Sequence, residues 1–377
     1  MSLELLAWLE GQSDAMLDML KRFVEMESPS TDKAAIDRLG LLFAEELVAS
    51  GAQVTHLSAD RHGNHVRAVA GDPSDDKQIL VLGHLDTVWE MGTLQAMPFR
   101  LENGIAYGPG TFDMKAGLVQ LVFALRALRE TGRKARRITA LINSDEETGS
   151  ESSRPDIENE ARRSRVALVL EPCLPGGRVK TFRKGVGVFE IQVKGRPAHA
   201  GLDHEKGVSA IEEISRQVQL LHRMTDYKKG ITVNVGTIRG GTRSNVVAAD
   251  AHAEVDIRVS TVADAEEIEK KILSLRPILK GAEIKVTGGI DRPPLERSPG
   301  VVDLYQKARA LAAELGFDLG EGSAGGSSDG NLTAALGVPT LDGLGPMGDG
   351  ARAESEHVIV SDLPRRTALL ARLLETL

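Results

Sequence analysis

One cysteine, Cys173, stands among 377 residues, so no disulfide can form within the chain and its redox compartment stays open. Aromatic residues make up only 3%, too few for a base-stacking platform or a carbohydrate-binding face, and aliphatic side chains must fill the core. Positive charge is not in excess: the net charge of −8 offers nothing to nucleic acid or to an anionic membrane surface. No run of about 18 apolar residues occurs. The first ten residues have neither the basic stretch nor the cleavage site of a secretory signal. These absences predict a cytoplasmic chain with no nucleic-acid and no membrane partner; a periplasmic location would need a signal segment already removed.

What is present belongs to an ordinary globular protein, 41% hydrophobic and 27% charged, with length for two or three domains. A helical period over 3–26 stops at Ser28-Pro29-Ser30, and a second amphipathic helix spans about 32–50. Short β-rich stretches at 53–57 and 64–70 precede a buried strand at 78–83. A helix near 115–132 and strands at 138–143 and 166–170 follow. Strands alternating with helices predict an α/β domain with a mostly parallel sheet. From residue 184 the pattern becomes strand 186–193, helix 207–224, strands 231–238 and 246–259, helix 263–275 and strand 282–287. That βαββαβ order predicts an α+β sandwich over 184–291, inserted into a domain built from 1–183 and 292–377. After Pro293-Pro294 come a helix at 299–315, a glycine-rich loop at 320–330, a strand at 338–342 and a closing helix at 362–376.

The chemistry starts from two adjacent acids, Glu146 and Glu147, at the end of an apolar run. Neighbouring carboxylates repel, so a fold gains nothing from them unless a cation lies between. His84, Asp113, Glu171 and His357 are of ligand type, and His84 and Glu171, like the acid pair, sit just past strand-like runs, where open parallel sheets assemble their sites. Two histidines with several carboxylates suit zinc. Two ions are accommodated if one carboxylate bridges: His84, Glu171 and Asp113 for the first, His357, Glu147 and the same Asp113 for the second. Glu146 is then the free carboxylate that moves a proton, and Asp86, two residues past His84, fixes its tautomer. Each residue alone has an ordinary reading; Asp113, for example, could cap the helix that follows it. Five such residues together would need five separate excuses.

Four segments carry a resemblance: Gly83-His84-Leu85-Asp86-Thr87-Val88-Trp89, the stretch from Tyr107 through Asp113 to Gly117, Asp145-Glu146-Glu147-Thr148-Gly149, and Glu171-Pro172. In order and over nearly the whole chain, they resemble the motifs of the M20 metallopeptidases. Gly104-Ile105-Ala106-Tyr107-Gly108-Pro109-Gly110 and Ser328-Asp329-Gly330-Asn331 are similar to the glutamate carboxypeptidase branch. The resemblance implies an α/β di-zinc, aminopeptidase-like catalytic domain with an inserted dimerisation or lid domain. His84, Asp113, Glu147, Glu171 and His357 would be metal ligands, Asp113 bridging; Glu146 would be the base and Asp86 the support for His84. It also implies a cis peptide between Asp113 and Met114, and two Zn2+, with Co2+ or Mn2+ as substitutes.

In the inserted domain, Gly195-Arg196-Pro197-Ala198-His199-Ala200-Gly201 is similar to the segment whose histidine reaches the partner subunit's site and polarises the scissile carbonyl. Asn245 and Arg258 match positions that hold the substrate's terminal carboxylate, a task suited to the guanidinium fork. The loop of Gly325, Gly326 and Ser327 would add N–H donors. Arg352 lies where relatives often have histidine. Lys180, Arg183 and Lys184 form a basic cluster able to read an acidic side chain. The expected reaction is hydrolysis of the amide to a C-terminal, glutamate-like amino acid in a peptide or N-acyl conjugate, by a homodimer. The alternatives are an N-acyl amino acid deacetylase or desuccinylase of the same fold and a noncatalytic metal-binding protein.

Overall fold

A buried strand, Gln78–His84, organises the first part of the molecule, because its apolar run leaves no polar face. Ile79 and Val81 join one hydrophobic cluster and Leu80 and Leu82 another, so both faces of its sheet are covered. The computed structural model describes residues 2–377 and contains two compact units. Among the described residues the first comprises 2–182, 297–324 and 328–377. Its six-stranded sheet runs Gln53–Leu57, His65–Ala70, Ile138–Asn143, Gln78–His84, Ser164–Val169, Thr340–Leu341. The first two pairings are antiparallel and the last three parallel. Helix Ala116–Glu130 is buried along nearly its whole length. A Cβ on its Gly117 would lie 2.5 Å from the carbonyl of Leu170, so the absent side chain lets the helix start press against the end of strand Ser164–Val169.

Two local differences from the sequence reading have plain causes. The first helix divides into Ser2–Glu10 and Ser13–Glu25. Gly11, costing about 1 kcal/mol in a helix interior, marks the break, and the chain restarts at Ser13. A hairpin, Arg100–Glu102 with Ile105–Tyr107, turns through Asn103 (φ 51°) and Gly104 (φ 77°). Asn-Gly is the strongest short signal for such a turn, and it stood in the sequence unread. Strand His357–Ile359 pairs with Ile105–Tyr107. That pairing carries the late segment of the chain to the loop holding Asp113.

The second unit comprises Arg183–Glu296 and residues 325–327, against the 184–291 expected. Its order is strand Gly185–Lys194, helix Ala210–His222, strands Thr232–Gly240 and Asp250–Val259, helix Val262–Leu273 and strand Glu283–Arg292. All ladders are antiparallel, with Gly185–Lys194 between Asp250–Val259 and Glu283–Arg292, and Thr232–Gly240 at an edge. Phe189, Ile191, Val255 and Ile257 pack with Ile214, Leu221, Ile268 and Ile272 of the two helices. Among the described residues, no helix is long and apolar enough to cross a membrane.

Candidate metal centre

His84 ends its strand with its ring almost wholly buried. Nδ1 lies 2.9 Å from the carbonyl oxygen of Asp86, which places the proton on Nδ1 and leaves the Nε2 lone pair outward. Nε2 is 3.3 Å from Asp113 Oδ1 and 3.5 Å from Glu171 Oε1. Neither Nε2 nor Asp113 Oδ1 makes a hydrogen bond, although both atoms are buried. A buried nitrogen lone pair facing a buried carboxylate oxygen fits a cation that takes both as donors. Two trios bring ligand atoms within 4.8 Å of one another, His84 with Asp113 and Glu147, and His84 with Glu146 and Glu171. The peptide between Asp113 and Met114 is cis.

The electrostatics point the same way. Burial alone would depress the His84 imidazole; Asp113, Asp86 and Glu171 together outweigh it and hold it well above its ordinary value. Burial, reinforced by Asp113 and Glu146, pushes the Glu147 carboxyl up to about 9 against the pull of His84 and Arg352. Such a set is short of positive charge.

Asp86 does more than support the His84 ring. The ring proton goes to its backbone carbonyl, while its carboxylate stands 3.5 Å from Nδ1. That carboxylate accepts the N–H groups of Glu146 and Glu147, each at 3.2 Å, and the Ser30 hydroxyl at 2.7 Å. Burial would raise its pKa, and the His84 ring and these donors lower it instead. Asp86 therefore fixes the turn Glu146–Thr148 relative to His84. Below that turn, Asp329 accepts from Asn143 Nδ2 at 2.7 Å and from the Ser150 hydroxyl at 2.6 Å.

His357, expected as a ligand of the second ion, stands apart from the others. It belongs to neither trio. Its Nδ1 faces the Ser355 carbonyl at 2.8 Å, and its ring lies 5.3 Å from that of Tyr107 across the ladder. The neighbouring Glu356 explains why. In extended chain successive side chains point to opposite faces, and the Glu356 carboxylate faces the Asp113 loop. It accepts the N–H groups of Gly110, Phe112 and Asp113, each at 3.0 Å, and Trp89 Nε1–H at 2.7 Å. Where a second imidazole was expected beside Glu147, Arg352 forms an ion pair with that carboxylate.

Glu356 went unnoticed in the sequence, since a lone acid before a histidine carries no local signal. Burial raises its carboxyl pKa, and the four donors counter that rise. Lys115, also buried, donates to the Met26 carbonyl at 2.8 Å, and burial lowers it to about 7 against the attraction of Glu356 and Glu27. Glu356→Ala would orphan four donors, the two buried ones of Gly110 and Phe112 at about 1–3 kcal/mol each before relaxation. It is expected to destabilise the protein by at least about 3 kcal/mol and to weaken divalent-ion binding about 10–100-fold. Urea titration and zinc titration of the variant check both, and unchanged zinc affinity would contradict the clamp.

The residues expected to bind substrate lie in the second unit, each in its own setting. His199 Nδ1 accepts the N–H groups of Gly201 and Leu202 at 3.1 and 3.2 Å, so its proton is on Nε2, ready to donate. Arg258 is engaged by Asp256 through two bonds of 2.9 Å, the i, i+2 neighbour on the same strand face. Asn245 is exposed, and its carbonyl accepts the Ala200 N–H. Gly325 and Gly326 have open space where a Cβ would be. The basic cluster does not act as one patch. Lys180 Nζ lies 4.0 Å from Glu171, Arg183 donates to the carbonyls of Gly326 and Ser327, and Lys184 donates to that of Gly230. Cys173 is buried, and burial raises its thiol, which suits packing rather than nucleophilic attack.

Comparison with known proteins agrees with this geometry. Residues 80–376 match the profile of Peptidase family M20/M25/M40. The chain is 32% identical over 372 residues to Carboxypeptidase G2 of Pseudomonas sp. (strain RS-16), covering 96% of this chain and 89% of that protein. It is 25% identical over 384 residues to the succinyl-diaminopimelate desuccinylase of Thioalkalivibrio sulfidiphilus (strain HL-EbGR7), covering 96% and 98%. A crystal structure of the aminopeptidase PepT from Bacillus cereus ATCC 10987 superposes with a TM-score of 0.75 at 21% identity, covering 96% and 98%.

Proposed function

The chain belongs to peptidase family M20/M25/M40 and is a metal-dependent hydrolase, and we propose that it releases a C-terminal, glutamate-like amino acid from a peptide or N-acyl conjugate. The observation that carries the reading is the pair of buried, unbonded atoms, His84 Nε2 and Asp113 Oδ1, with Glu171 beside them. In this reading His84, Asp113 and Glu171 hold zinc, which suits nitrogen and carboxylate donors. The ion supplies Lewis acidity toward the scissile carbonyl and toward water.

The chain's own residues do the rest. Glu146 takes a proton from the attacking water and returns it to the leaving nitrogen. Asp86 holds the Glu146 backbone in place. His199, with its proton on Nε2, donates to the oxyanion, in a homodimer that shares its sites between subunits. Arg258, Asn245 and the N–H groups of Gly325, Gly326 and Ser327 hold the terminal carboxylate. A carboxylate entering the Arg258 fork has to displace Asp256. That exchange favours substrates bringing a full negative charge.

The likeness to Carboxypeptidase G2 supports this reading over the desuccinylase one, to which a relative at lower identity bears. The test is a panel of dipeptides and N-acyl amino acids with varied terminal residue, incubated with zinc-loaded protein and read by mass spectrometry. Glutamate or aspartate termini are expected to exceed lysine or alanine by at least about 10-fold in kcat/KM, the worth of one charge-assisted bond. Equal cleavage of all termini would refute the preference, and succinate released from small N-succinyl substrates would install the desuccinylase reading.

A further inference from the structure

The two trios of ligand-type residues share one imidazole. His84 Nδ1 is committed to the Asp86 carbonyl, so the residue offers a single lone pair, on Nε2, and can serve one ion. The other histidine expected at the centre, His357, belongs to neither trio, and its ring lies against that of Tyr107. A second ion would therefore have carboxylates alone, and one of these is already taken.

Arg352 takes it. Its Nη2 forms an ion pair with Glu147 Oε2, and the Glu147 side chain is only 2% exposed there. Burial would lower the Arg352 pKa, but the fields of Glu147, Asp113, Glu146 and Glu171 together raise it. The residue is delivered by a braced turn. Ala353 N–H bonds the Gly350 carbonyl at 2.8 Å, Glu356 N–H bonds that of Ala353 at 2.9 Å, and Glu356 is itself anchored to the Asp113 loop. Arg352 sits at φ 64°, a left-handed conformation that a non-glycine residue holds only where its surroundings enforce it. A guanidinium has no lone pair to give a metal and does not lose its charge at any pH the protein survives. It pairs with Glu147 and repels a second cation.

We infer that this centre is built for one divalent ion, and that the Arg352 guanidinium fills the second cationic position as a permanent part of the chain. The inference rests on the hydrolase reading above and refines it. One positive position is filled whatever the metal supply, and the other depends on the ion at His84. Chelation then removes only one of the two.

The test is metal stoichiometry. Wild-type protein and Arg352→His are stripped with chelator, saturated with zinc chloride, dialysed, and measured by elemental analysis and native mass spectrometry. Wild type is expected to keep one zinc per chain, and Arg352→His to keep two, the new imidazole joining Glu147 and Asp113. Two zincs on wild type, or a folded Arg352→His that stays at one, would overturn the inference while leaving the hydrolase reading intact. Failure of wild type to keep any zinc would count against the hydrolase reading itself. The wild-type measurement decides the stoichiometry even if the variant does not fold.

Discussion

Glu146→Gln is expected to lower kcat by about 10²–10⁴, the usual worth of a positioned general base, while bound zinc and KM stay near their wild-type values. Glutamine keeps the shape and one acceptor oxygen but cannot take a proton. The backbone is held independently of the side chain, since the Glu146 N–H donates to Asp86 at 3.2 Å and the Gly149 N–H to the Glu146 carbonyl at 3.0 Å. The variant should therefore fold and bind. The measurement must include metal content, because Glu146 lies within ligand distance of His84 and Glu171. If zinc departs together with turnover, Glu146 is a ligand and the base lies elsewhere. If zinc stays and turnover falls, the two neighbouring acids have separate tasks.

Removing the metal should make stability fall as pH rises. Glu147 in the folded, metal-free chain titrates near 9, against 4.5 in the unfolded chain. Between those values the folded state holds a proton that the unfolded state has released, so unfolding becomes easier as pH increases. His84 acts in the same direction. Its folded pKa lies well above 6.5, so its contribution is complete below 6.5 and is lost as pH climbs through the raised value. Lys115 opposes them above pH 7, because its folded pKa is depressed to about 7. Lys115 is present in both metal states, however, so it cancels in their difference.

The gap in Tm between zinc-loaded and chelator-treated protein should therefore widen from pH 6 to pH 9. The slope is about 1.4 kcal/mol per pH unit for each proton, or roughly 3–6 °C per pH unit for a unit of this size. Thermal unfolding at half-unit intervals of pH reads it directly. A gap that stays constant or narrows would mean that Glu147 and His84 keep their raised values with the ion bound.

The parts of this centre that rest on local pattern were legible. An unbroken apolar run ending at His84 and an acid pair after a second such run place these side chains at adjacent strand ends, and Gly83 and His84 do pair with Ile142 and Asn143. The inserted βαββαβ order was legible for the same reason, because strand and helix periods differ. What stayed hidden depends on register between distant segments. Glu356 bonds partners 243 to 267 positions earlier, and no window along the chain shows that. Which way His357 faces depends on the pleat of a three-residue strand, where one step reverses every side chain. The Asp256–Arg258 pair was readable from strand period alone, since residues two apart share a face.

The Glu356 clamp has a consequence in time. During synthesis the ribosome has released all of His84, Asp113, Glu146, Glu147 and Glu171 about 185 residues before it reaches Glu356. At about 5–20 residues per second, the wait is roughly ten to forty seconds. Through that interval the nascent chain carries an imidazole and its carboxylates with neither the brace on the Asp113 loop nor the guanidinium on Glu147. Zinc captured early would meet a loose, over-acidic nest. The mature centre closes only when the late segment arrives, so maturation is a carboxyl-terminal event, and a chain halted after residue 350 would carry every expected ligand but His357 and still lack a finished site.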